Sequence, residues 1–128
     1  MSHAKSFVAV VDDDDSVSRA VKRLLRSIGV AANTFKTGDA LLDMLDAFPT
    51  YRPACIVLDM QMPGLNGLQT QRQLAGTGIP IIFITAHDES DMRAQALAAG
   101  AVAYLRKPFE DEVLIRAVTL AMEPDDGA

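Results

Sequence analysis

The stretch ACIVLDMQMPGLNG, residues 54–67, decides how this chain folds. It begins as an uninterrupted apolar run, ends that run in the carboxylate Asp59, and then passes through a proline and two glycines. An apolar run without polar alternation indicates a strand that is buried on both faces, as in a parallel sheet flanked by helices. The stretch therefore predicts a central strand with an acid at its carboxyl end.

Four more runs of the sequence have strand character. SFVAVVD at 6–12 and IPIIFIT at 79–85 repeat the apolar design, whereas the runs at 30–35 and 101–106 mix polar with apolar residues and suit sheet edges. Helical patterns follow each of the five runs, so right-handed crossovers predict an α/β, doubly wound, five-stranded parallel sheet. With the weak runs at the edges, the expected strand order is 2-1-3-4-5, the flavodoxin-like (βα)5 arrangement.

Capping residues locate several helix ends. Thr37 is expected to N-cap the second helix, and Pro49 to end it by disfavouring helical geometry just before itself. The third helix is predicted over residues 67–74. Ser90 is expected to N-cap the fourth helix, and Gly100 to follow its end as the C′ glycine.

Length and composition indicate one globular domain. A chain of 128 residues, 49% of them hydrophobic, can build a single core, expected over about 6–122, with a disordered tail at 123–128. A net charge of −5 argues against a nucleic-acid-binding surface. No apolar run reaches the roughly 20 residues of a membrane span, and the opening residues lack the apolar centre of a secretory signal, so a cytoplasmic location is expected.

Polar side chains stand where the predicted strands end. Asp12 and Asp13 close the first strand, Asp59 the third and Thr85 the fourth, and Lys107 follows the fifth. Ligands bind beyond the carboxyl ends of such strands, so these groups are expected to converge. Clustered carboxylates repel one another, and hard oxygen ligands without His or Cys suit Mg²⁺ or Mn²⁺.

This set of groups anticipates phosphate chemistry. Lys107 could offset the charge of a phosphoryl group, Thr85 could donate to one of its oxygens, and Asp59 could act as the nucleophile that accepts it. The acids and hydroxyl at 14–16 are better explained as a helix N-terminus, where such residues favour the helix dipole.

Four motifs carry a resemblance to a known family. They are VVDD at 10–13, LDMQMPGLNG at 58–67, FITA at 83–86 and YLRKPF at 104–109. With this wording and spacing the chain resembles a response-regulator receiver domain of a two-component system, over essentially residues 7–121. The last two motifs are similar to those of FixJ-like receivers.

The resemblance implies a role for each site residue. Asp59 would be phosphorylated by a sensor histidine kinase or a histidine phosphotransfer protein. Asp13, Asp59 and the backbone carbonyl of Gln61 would ligate Mg²⁺, with Asp12 holding the metal through water. The domain would be a signalling phosphoacceptor that catalyses only its own phosphorylation and dephosphorylation, rather than an enzyme.

The same resemblance implies a switch. Thr85 would be the switch hydroxyl, Tyr104 the aromatic side chain that moves with it, and Lys107 the phosphoryl-binding lysine, which precedes a cis peptide bond at Pro108. A downstream protein would dock on the fourth helix, fifth strand and fifth helix. A homodimer could use that surface, although the sequence shows no exposed apolar stripe that compels one. Gln61 and His87 depart from the commonest family residues and leave the lifetime of the phosphoryl group open.

Two other classes of protein remain alternatives. DDDDSV at 12–17 imitates the D-x-D-x-[T/V] opening of haloacid-dehalogenase-like phosphohydrolases, with Asp12 as nucleophile and Asp14 as acid. That interpretation leaves Asp59 without a role, and the chain offers KPFEDE where that class has a late acidic motif. The second alternative is a metal-dependent, flavodoxin-like binding module without chemistry.

Overall fold

Five strands alternate with five helices along residues 6–87 and 89–123, the part of the chain that the computed structural model describes. Apart from residue 123, the predicted tail lies outside the described residues. The elements are β1 (Phe7–Val11), α1 (Asp15–Ser27), β2 (Ala31–Phe35), α2 (Gly38–Ala47), β3 (Cys55–Asp59), α3 (Gly67–Leu74), β4 (Ile81–Thr85), α4 (Ser90–Ala98), β5 (Ala103–Arg106) and α5 (Asp111–Met122).

The strands form one parallel sheet in the order β2-β1-β3-β4-β5, which confirms the predicted fold and strand order. The register pairs Val11 with Leu58, Asp59 with Ile84, and Thr85 with Arg106. The strands therefore end at nearly the same level, and the residues that close them share one edge of the sheet.

An apolar cluster covers each face of the sheet. Side chains of a strand alternate between its faces, so β3 contributes Val57 to one cluster and Leu58 to the other. Every residue of β3 and β4 is buried, as the apolar runs predict. Cys55 lies in this core as expected, and burial raises the pKa of its thiol to about 12.

Three helices begin at a side-chain cap. Asp14 accepts a hydrogen bond from the N–H of Ser16, and Thr37 accepts one from Ala40 as predicted. At α3, Asn66 and Gln69 each accept a bond from the other's backbone N–H, which is a complete capping box.

The start of α4 corrects one prediction. Ser90 is the first helical residue, and the N-cap position belongs to Glu89, whose side chain makes no capping hydrogen bond. The prediction for the other end is confirmed, because Gly100 has a φ of +105° and its N–H bonds to the carbonyl of Leu97. β5 begins two residues later than predicted because the N–H of Ala101 still serves the helix end. Within the described ranges, no helix is both long and apolar enough to cross a membrane.

Candidate functional site

Three carboxylates meet at the carboxyl edge of the sheet. Asp12 and Asp13 directly follow β1, Asp59 closes β3, and one oxygen from each lies within 4.8 Å of the others. Asp12 and Asp59 are buried, whereas Asp13 is exposed. The structure thus brings together the three predicted acids in a cluster that opens to solvent on the side of Asp13.

Lys107 is the cation of this cluster. Its Nζ donates a hydrogen bond to Asp12 Oδ2 at 2.8 Å and lies 3.4 Å from Asp59 Oδ1. Its backbone N–H bonds to the carbonyl of Thr85 at 2.7 Å, which holds the residue beside the end of β4. Burial acts to lower the pKa of Lys107, but the hydrogen bond to Asp12 and the two carboxylate charges outweigh it and raise the pKa. The lysine is therefore charged at neutral pH.

The surroundings of Asp59 disfavour the charged form of its carboxyl group. Burial first, and then the charge of Asp12, raise its pKa to about 6, against the opposing effects of Lys107 and the N–H of Gln61. One lysine does not balance three acids, so a second cation would relieve the site. The three donors are hard carboxylate oxygens with a solvent-facing side, and this set fits a divalent cation such as Mg²⁺ that keeps part of its water shell.

The loop after Asp59 is held close to the strand by Gly67, the first residue of α3. A Cβ at this position would lie 2.8 Å from Met60 Cα and from Phe83 Cε1, and 3.0 Å from the carbonyl oxygen of Asp59. The N–H of Gly67 also bonds to the carbonyl of Met60 at 2.9 Å. Only glycine allows this approach, which fixes the start of α3 beside the acids.

Thr85 closes β4 and is fully buried. Its hydroxyl donates to the carbonyl of His87 at 2.9 Å and accepts from the N–H of His87 at 3.1 Å. The hydroxyl is thus bound within its own loop, and His87 itself is exposed.

Tyr104, the predicted switch aromatic, lies beside β4 on the α4 side of the sheet. Its ring packs against Phe83 at 6.2 Å between centroids, and the guanidinium of Arg93 lies 5.9 Å above it. The sequence did not identify Arg93 as a partner of Tyr104. In the sequence, Arg93 has the pattern of any solvent-exposed charged residue of a helix. Its contact with Tyr104 becomes visible only when the folded structure brings the ring beside it.

Gln61 connects the acid cluster with α4. Its backbone N–H points to Asp59 Oδ1 at 3.5 Å, while its side-chain Nε2 lies 3.8 Å from Met92 Sδ. The carbonyl of Gln61 as a metal ligand stays a prediction from the resemblance.

An apolar groove of about 390 Å³ lies between β5 and α5. Three of its lining side chains are conspicuously exposed: Val113 is 38% exposed, Val102 52% and Leu120 60%. The sequence showed no exposed apolar stripe that compels a homodimer, and it did not indicate this groove. Val102 lies in the loop before β5 and the other two residues lie in α5, so the three meet only after the chain has folded.

Comparison with known proteins identifies the family to which this chain belongs. The protein-family model described as the response regulator receiver domain matches residues 8–119. The chain belongs to this family, whose members are the signalling domains of two-component systems, and the resemblance read from the four motifs is confirmed. This membership goes against the phosphohydrolase alternative.

Similar proteins include the response regulator TmoT of Ectopseudomonas mendocina, 38% identical over 96% of this chain and 56% of that protein. Nodulation protein W of Bradyrhizobium diazoefficiens is 43% identical over 94% of the chain and 53% of its own length. The chain thus spans about half the length of these curated relatives.

Among solved structures, a receiver protein from Burkholderia phymatum is 60% identical, with a TM-score of 0.84 over 92% of this chain and 95% of that one. FixJ-N is 33% identical, with a TM-score of 0.81 over 92% and 94%.

Proposed function

We propose that this receiver domain accepts a phosphoryl group on Asp59 from the phosphohistidine of a sensor histidine kinase or a histidine phosphotransfer protein. The observation that carries the proposal is the geometry around Asp59, a buried carboxylate between two other acids and a lysine. Because phosphohistidine donors are made from ATP, a cytoplasmic location goes with this proposal. Residues 6–122 would form the receiver domain that carries this reaction.

In this reaction a carboxylate oxygen of Asp59 attacks phosphorus, the phosphorus–nitrogen bond breaks, and the imidazole leaves with the electron pair of that bond. Mg²⁺ would be held by Asp13, Asp59 and the backbone carbonyl of Gln61, with Asp12 acting through water, and it would supply positive charge to the phosphoryl oxygens. Lys107 already lies 3.4 Å from Asp59 and would pair with another of these oxygens. The domain would catalyse only this transfer and its own later dephosphorylation, in which water attacks phosphorus, the carboxylate of Asp59 leaves and inorganic phosphate is released.

The phosphoryl group would act as the input of a switch. Thr85 would exchange its bond to the carbonyl of His87 for a bond to a phosphoryl oxygen, which draws the β4–α4 loop inward. Tyr104 packs on β4 and would follow. The surface formed by α4, β5 and α5 would then change its affinity for a downstream protein or for a second copy of the chain. The exposed Val102 and Leu120 suit such a contact.

Incubation with acetyl phosphate and Mg²⁺, followed by intact-mass measurement, tests the proposal. We expect one phosphoryl adduct that EDTA prevents and that Asp59→Asn abolishes. Asp39→Asn, which removes an exposed acid elsewhere, should leave the adduct unchanged. Multiple-turnover phosphate release that depends on Asp12 and persists in Asp59→Asn would instead support the phosphohydrolase, and an adduct that survives in Asp59→Asn would refute the assignment of the acceptor.

A further inference from the structure

The two ends of α4 are attached to the rest of the molecule in different ways. At the carboxyl end, the side-chain Nε2 of Gln71 in α3 donates a hydrogen bond to the carbonyl of Ala96 at 3.0 Å. Both residues are buried. The same carbonyl accepts the N–H of Ala101 at 3.0 Å, so two donors converge on one buried oxygen.

Among residues 6–87 and 89–123, no comparable side-chain hydrogen bond holds the amino end of α4. No side chain caps it at Glu89. The side chains of Met92 and Arg93 make soft contacts, without a strong hydrogen bond. Met92 packs against the apolar cluster and lies 3.8 Å from the Nε2 of Gln61, and the guanidinium of Arg93 lies 5.9 Å from the ring of Tyr104. The first contact leads to Gln61, whose N–H points to Asp59, and the second leads to Tyr104, the predicted switch aromatic.

We propose that Gln71 is a positioning residue that anchors the carboxyl end of α4, so that phosphorylation displaces only the amino half of the helix. The inference rests on the proposed function and deepens it. A shift of Thr85 away from His87 would pull on the loop that leads into Ser90. The amino half can follow because soft contacts rearrange readily, but the end at Ala96 is fixed, since an unpaired buried amide would be costly.

Gln71 could instead be a residue that only fills space between α3 and α4. A filling residue would lower the stability of the whole domain when replaced, whereas an anchor controls where along α4 a displacement stops. The two roles therefore predict different exchange patterns along the helix, and residue-resolved amide hydrogen exchange distinguishes them.

The first measurement uses the unphosphorylated protein. Gln71→Met keeps the length of the side chain and removes the donor, and Gln73→Met makes the same change at an exposed position of the same helix. We expect Gln71→Met to speed exchange of the Ala99–Ala101 amides about tenfold while leaving the β1 amides unchanged. Equal acceleration in both elements, or none in either, would overturn the anchor. Gln71→Asn, too short to reach Ala96, replaces Gln71→Met if that variant does not fold.

The second measurement adds acetyl phosphate and Mg²⁺. In the unsubstituted protein we expect altered exchange at Met92 and Arg93 and unaltered exchange at Ala99–Ala101, and in Gln71→Met we expect the change to reach both. A change of equal size at both ends of α4 in the unsubstituted protein would contradict the proposal, as would an unaltered pattern in Gln71→Met. If no adduct forms on Asp59, the proposed function is wrong, and the role of Gln71 as an anchor is then tested by the first measurement alone.

Discussion

Two regions meet at the carboxyl edge of the sheet and are held by different forces. In the charged region, formed by the ends of β1, β3 and β5, Lys107 lies 2.8 Å from Asp12 and 3.4 Å from Asp59. In the hydroxyl region, formed by the end of β4 and by α4, the hydroxyl of Thr85 bonds to the backbone of His87. One region depends on the balance of buried charges, and the other on neutral hydrogen bonds and ring contacts.

This difference shows how a change of charge can become a change of shape. A buried ion pair is strongly destabilised when one partner is lost, whereas a neutral bond to the backbone can be exchanged for another at small net cost. The added phosphoryl charge would therefore act on the charged region. The hydroxyl region would then move, because its hydrogen bonds and ring contacts can be exchanged at small cost.

Removal of the lysine should have the largest effect. Lys107→Met leaves Asp12 and Asp59 without their cation, and we expect the free energy of unfolding in metal-free buffer to fall by about 3 to 5 kcal/mol. Lys36→Met is the matched control, because its pair with Asp15 has side chains that are 71% and 59% exposed. Urea unfolding of both variants checks this expectation. If Lys107→Met lowered the free energy of unfolding as little as the control does, buried charges would not be what holds the charged region together.

Removal of the Asp59 carboxylate should raise the free energy of unfolding. The pKa of Asp59 is about 6 in the folded protein, above its ordinary value of 3.8, so the folded state binds this proton more tightly than the unfolded state does. The resulting stability is complete below about pH 4 and is lost as the pH rises through about 6. Asp59→Asn should therefore unfold with up to about 3 kcal/mol more free energy at pH 7, and with little difference at pH 4.

Urea titrations from pH 4 to pH 8 without divalent cations measure this difference, with Asp39→Asn as the exposed control. A difference that does not vary with pH would show that the carboxylate of Asp59 is not strained by its charge.

The charged region was the more predictable of the two from sequence. Continuous apolar runs mark the central strands, and in a parallel sheet the residues that close such strands must share one edge. Asp12, Asp59 and Lys107 could thus be brought together although they lie far apart in the chain. Boundaries were off by one or two residues because they depend on helix-ending bonds, such as that of Ala101, that a strand pattern does not reveal.

The hydroxyl region was less predictable because its contacts depend on geometry rather than on residue pattern. Ser90 looked like an N-cap, yet the helix includes it, since capping preferences do not fix a boundary to one residue. Gln71 and Arg93 gave no signal, because a buried glutamine and a ring-stacking arginine have the same letters as solvent-facing ones. Their partners, Ala96 and Tyr104, become neighbours only through packing.

A methyl group at Gly67 should loosen the charged region without altering its charges. The added Cβ in Gly67→Ala would meet backbone at Met60 and the ring of Phe83, and we expect a loss of about 1 to 3 kcal/mol in the free energy of unfolding. Gly76→Ala, where nothing lies within 4 Å of the new Cβ, should change it by less than about 0.5 kcal/mol. Thermal unfolding of the pair tests this, and equal stability of the two variants would contradict the close approach of α3.

The smallest effect is expected at the ring contact of the hydroxyl region. Arg93→Gln removes the cation over Tyr104, and at a partly exposed site this should cost about 0.5 to 1 kcal/mol. The chain has no tryptophan and two tyrosines, so in a Tyr51→Phe background quenching of tyrosine fluorescence by acrylamide, a neutral quencher, reports on Tyr104 alone. We expect quenching to increase in Arg93→Gln because the ring loses its cover.

Arg72→Gln removes an exposed arginine from α3 and serves as the control for this measurement. Quenching that rises equally in both variants would mean that Arg93 does not restrain the ring. A stability loss at Arg93 as large as that expected at Lys107 would mean that α4 is held as firmly as the charged residues. The two regions would then respond to phosphorylation as one rigid unit, because neither would offer contacts that rearrange at low cost.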